Sequence, residues 1–72
     1  MTIEESAGAL AQAIRICADQ TGELAFEQLR HAAGHDHEER SEALHAEKVL
    51  HRARRSLEKA AELLESLAAG ER

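Results

Sequence analysis

Apolar and polar positions follow the helical period in two long blocks, separated by a single short break at Gly34-His35-Asp36. In the first block Ile3, Ala7, Leu10, Ile14, Cys17, Thr21 and Leu24 recur at alternating steps of four and three. In the second, Ala43, Ala46, Leu50, Ala53, Leu57, Ala60, Leu64 and Leu67 do the same. That spacing aligns one face of a helix, with the seven-residue repeat of a coiled coil. The block ends carry matching signals. Thr2 stands three residues before Glu5, and Asp36 three before Glu39, the arrangement of a capping box. Gly34 is placed to end the first helix at positive φ, and Gly70 the second. The pattern predicts one all-α domain over residues 1–72: helix 3–33, turn 34–36, helix 37–69, folded as an antiparallel coiled-coil-like hairpin. Asp19-Gln20-Thr21-Gly22 is the one weak stretch, because glycine costs about 1 kcal/mol against alanine inside a helix. An unbroken helix is expected there, with a kink or split as the alternative.

Folding at the turn pairs positions whose numbers sum to about 70. Ile3 then meets Leu67, Leu10 meets Ala60, Cys17 meets Ala53 and Leu24 meets Ala46. The alternate layers set Ala7 by Leu64, Ile14 by Leu57 and Thr21 by Leu50, so large side chains mostly face small ones. The apolar stripes are wider than this seam. Ala11, Ala18, Ala25 and Ala32 flank it on the first helix, and Val49, Ser56 and Leu63 on the second. A helix in a bundle buries about three positions in seven, more than a two-stranded seam uses. The hairpin is therefore expected to form a homodimeric, antiparallel four-helix bundle.

Composition points the same way. A chain of 72 residues is near the lower limit for a self-sufficient core, and this one has one Phe and no Trp or Tyr. Cys17 is the only cysteine, so no disulfide forms within the chain. Oligomerisation or a metal is left as the supplement. A net charge of −5 argues against general binding to nucleic acid or to a membrane surface. No apolar run is long enough to span a bilayer, and no signal-peptide pattern is present. The lone cysteine suits a reducing compartment, so a cytoplasmic location is expected.

Few residues point to chemistry. His31, His35 and His37 cluster at the tip beside Asp36, Glu38 and Glu39, and imidazole with carboxylate suits a divalent transition metal. The plainer reading is a solvated turn. Glu42 and His45 form a Glu-x-x-His step, which with Glu27 at a similar height has the form of a carboxylate di-metal bundle site. Glu42 flanks the seam, however, and His45 lies further out. Cys17 is read as core filler. No nucleophile–base pair or phosphate-binding loop is visible, so neither enzyme activity nor a cofactor is expected.

Lys48, His51, Arg52, Arg54, Arg55 and Lys59 form a basic segment on the second helix. RNA binding would use such cations with a stacking aromatic, but the only aromatic, Phe26, is on the other helix. The charges are better read as a solvated face met by Glu23, Glu27, Glu58 and Glu62. Phe26, Leu29 and Leu44 fall outside the seam at similar heights near the tip. They form a candidate surface for another protein, unless Gly22 shifts the register and turns Ala25, Phe26, Leu29, Ala32 and Ala33 inward. The reading reached is a small, non-enzymatic protein–protein interaction module acting as a homodimer. Metal binding through the His/Glu residues and RNA binding are the alternatives.

Overall fold

The computed structural model describes residues 1–34 and 36–70. Two α-helices, α1 (Ile3–Ala32) and α2 (His37–Ala68), pack side by side as a hairpin. The hairpin measures 52 × 18 × 11 Å, a slab one helix thick. Helix ends follow the sequence signals within one residue. The Glu5 N–H donates to Thr2 Oγ1 at 3.1 Å and the Glu39 N–H to Asp36 Oδ1 at 2.9 Å, so each helix start has a side-chain cap. Gly70 takes φ +76° and its N–H reaches the Leu67 carbonyl at 3.0 Å, closing α2. α1 ends otherwise than expected: its cap is Ala33 in the right-handed region, and among the described residues Gly70 is the only glycine at positive φ. The Arg40 side chain reaches back instead, its Nε donating to the Ala32 carbonyl at 3.3 Å. α1 runs unbroken through Gly22.

The seam between the helices lies one row away from the one expected. On α1 it follows Ala7, Ala11, Ile14, Ala18, Thr21, Ala25, Gln28 and Ala32; on α2 it follows Ala43, Glu47, Leu50, Arg54, Leu57, Ala61, Leu64 and Ala68. Every one of these positions is buried or half-buried. Both sets keep the alternating steps of four and three. The alanines expected to flank the seam on α1 are thus its centre. Ile14, Leu50, Leu57 and Leu64 keep their core role, half-buried. Ile3, Leu10, Cys17, Leu24 and Leu67 stand exposed on the single chain, as does Ala53.

The pairing heights also differ. A methyl added at Gly8 would lie 3.6 Å from the Ala68 Cβ, and one at Gly22 would meet the Arg54 guanidinium. Positions that sum to about 76 are therefore level, not those that sum to about 70. The contact at the tip fits this offset: the first turn of α2 stands beyond the end of α1, and Arg40 reaches back to the Ala32 carbonyl. Every fully buried hydrophobic side chain is an alanine, among the described residues. Alanine permits close helix approach, but each contributes little apolar area at roughly 25 cal/mol per Å².

Candidate functional site

A slab one helix thick has two broad sides, and these differ in chemistry. On the first, the Arg15 guanidinium spans to α2, with Nη2 2.8 Å from Glu65 Oε1 and Nε 3.1 Å from Oε2. This hydrogen-bonded pair lowers the Glu65 carboxyl from its ordinary value and raises Arg15, the hydrogen bond being the main cause and direct charge attraction adding to it. Further toward the tip, Arg54 lies over Gly22. Its Nε is buried with no hydrogen-bond partner, and Glu58 Oε2 at 3.8 Å supplies charge only. A groove between the helices there is lined by Gly22, Phe26, Leu29, Glu47, His51 and Arg54.

The second side differs over most of its length. Leu10, Cys17 and Leu24 form one row of α1, with Ile3 at its open end; Ala46, Ala53, Ala60 and Leu67 form the matching row of α2. Ser6, Ala13 and Gln20 lie just outside the first row, and Val49, Ser56 and Leu63 just outside the second. Ile3 is 65% exposed, Leu10 56%, Leu63 64% and Val49 47%. From Ile3 to Leu24 this side has no charged residue in these rows. Beyond Leu24 it turns polar, where Gln28, His31, Glu39 and Glu42 line a shallow groove with Ala43 and Ala46. The heptad reading places Ile3, Leu10, Cys17, Leu24, Ala46, Ala53, Ala60 and Leu67 in the hairpin seam, with Val49, Ser56 and Leu63 beside it. They form instead an uncharged side of the hairpin.

The tip surface resolves into a mixed result. Ala25 and Ala32 are buried, whereas Phe26, Leu29, Leu44 and Ala33 are exposed. Phe26 is 59% exposed and its ring is covered on one face by Arg30, 5.5 Å from the centroid. The helix keeps phase through Gly22, so the register shift that would bury Phe26 does not occur. Phe26 and Leu29 line the groove on the Arg54 side, opposite the long apolar side. Ile16 is also exposed, on the outer surface of α1.

Of the proposed metal ligands, His31, His37, Glu42 and His45 are exposed, and His35 lies outside the described residues. Among the described residues no three His, Cys, Asp or Glu side chains gather in a way that could hold a metal ion. The basic segment is divided. His51 Nε2 lies 3.1 Å from Glu47 Oε1, and Arg54 pairs with Glu58, each along α2 itself. Arg52, Arg55 and Lys59 line an outward groove with Ser56. Sequence reasoning missed the Arg15–Glu65 pair, the Arg54–Gly22 contact and the Arg40 bond at the tip. Only the last had a local signal, a cation close to a helix C-terminus. Among the described residues no helix is long and apolar enough to cross a membrane. Compared with known proteins, the chain matches no family model, no curated protein and no solved structure.

Proposed function

We propose that this chain is a small protein–protein interaction module that acts as a homodimer, two hairpins joining into a four-helix bundle. The observation that carries this reading is the uncharged apolar side running from Ile3 and Leu67 to Leu24 and Val49, beside a hairpin seam whose buried side chains are all alanine. A core that small leaves the chain short of buried apolar area, and a second copy is the usual supplement where disulfides are absent. The size fits. The side is about 32 Å long, from the helical rise per residue, and the hairpin is 18 Å across. The footprint is on the order of 600 Å² per chain, so a pair clears the ~1,000 Å² expected of a specific interface.

The exposed Phe26, Leu29 and Leu44 support a second contact near the tip, for a different protein. They lie away from the dimer side, so both surfaces are usable together. Native mass spectrometry and sedimentation of the untagged protein, with and without chelator, test the reading. A dimer unaffected by chelator is expected, shifting to monomer in Leu63→Glu with helicity retained. A monomeric wild-type chain overturns it, and a dimer lost on chelation would move the function to the His and Glu residues.

A further inference from the structure

Resting on the homodimer reading, we infer that the two hairpins join with their tips at the same end, α1 of each chain lying over α2 of the other. The apolar side has its own pair of rows on each helix, again spaced by alternating threes and fours: Leu10, Ala13, Cys17, Gln20 and Leu24 on α1, and Val49, Ala53, Ser56, Ala60 and Leu63 on α2. Antiparallel helices pack such rows by setting an inner residue of one level with an outer residue of the other.

A two-fold axis along the hairpin gives the partner's α2 the heights that α2 has within one chain, which the Gly8–Ala68 contact fixes. Within a turn of those heights, Leu10 meets Leu63 of the partner subunit. Ala13 meets Ala60 of the partner subunit, Cys17 meets Ser56 of the partner subunit, Gln20 meets the small Ala53 of the partner subunit and Leu24 meets Val49 of the partner subunit. The four most exposed aliphatic side chains between the ends of this side, Leu10, Leu24, Val49 and Leu63, thus cover one another. With the tips opposed, α1 would lie over its own copy. Under the same inner-to-outer pairing, covering Leu24 with Ser6 of the partner subunit or Ala13 of the partner subunit then sets Leu10 against Gln20 of the partner subunit or Glu27 of the partner subunit, placing a large apolar side chain on a polar one. The same-end arrangement also brings both Phe26–Leu29–Leu44 surfaces to one end of the bundle, facing away from each other.

Cysteine cross-linking decides the orientation. In a Cys17→Ser background, Leu24→Cys with Val49→Cys is expected to give a covalent dimer on mild oxidation, seen on a non-reducing gel. Leu10→Cys with Cys17 retained places both thiols on α1 and is expected to stay uncrosslinked, since the two copies of α1 are diagonal. A covalent dimer from the second variant and none from the first overturns the orientation while leaving the dimer intact. Sedimentation of both variants under reducing conditions separates that result from failure of the dimer itself, which would show as monomer mass.

Discussion

Arg15 and Glu65, fifty positions apart, are joined by two hydrogen bonds of 3.1 and 2.8 Å between α1 and α2. This bidentate pair ties the two long helices together and marks the polar side of the hairpin. Both side chains are partly open to water, at 41% and 48% exposure, so its contribution is screened.

The pair makes stability depend on pH in one direction. The Glu65 carboxyl titrates lower in the folded chain than in the unfolded one, because Arg15 bonds its charged form. The contribution is present above the ordinary glutamate range and disappears as pH falls through the lowered folded value. Glu65→Gln is expected to melt below wild type at neutral pH and together with it in strong acid. A constant difference across pH would refute the assignment.

Gly8→Ala is expected to stabilise the hairpin by up to about 1 kcal/mol, the helix-propensity difference. The added methyl sits at ordinary contact distance, 3.6 Å from Ala68. Chemical denaturation measures this, and a loss of stability would show that the pairing heights are wrong.

Gly22 is a different case, because a methyl there would lie 2.9 Å from Arg54 Nη1 and 3.2 Å from Cζ. These atoms end a flexible side chain, so Arg54 swings aside at modest cost. Gly22→Ala is expected to show less than the roughly 1 kcal/mol propensity gain, and the full gain once Arg54→Ala is also present. Additive effects in the double-mutant cycle would refute the contact.

Leu57 and Leu63 separate the fold from the assembly. Leu57 is half-buried in the seam, and Leu57→Asp places an unpaired charge there. Loss of the helical circular-dichroism signal is expected. Leu63 is on the apolar side, so Leu63→Asp is expected to keep the helices and lose dimer mass. A folded, dimeric Leu57→Asp chain would sink the seam assignment.

Much of this protein was legible from residues alone. The two helices, their ends at Thr2, Asp36 and Gly70, and the need for more burial than one hairpin supplies follow from spacing, capping chemistry and a core poor in large side chains. Local chemistry determines these features, and the sequence states local chemistry directly.

Which rows face inward was decided only by the tertiary structure. The row of Ala7, Ile14 and Thr21 is flanked by Leu10, Cys17 and Leu24 on one side and by Ala11, Ala18 and Ala25 on the other. Heptad spacing fits either partner row equally well. The fold takes the alanine row, which allows close approach and lets Arg15 reach Glu65 and Arg54 lie over Gly22. The register likewise shows only in contacts across the pair, Gly8 beside Ala68 and Arg40 on the Ala32 carbonyl, which no helical period encodes. Periodicity specifies a helix's faces, while the choice among faces rests on contacts between residues distant in the chain.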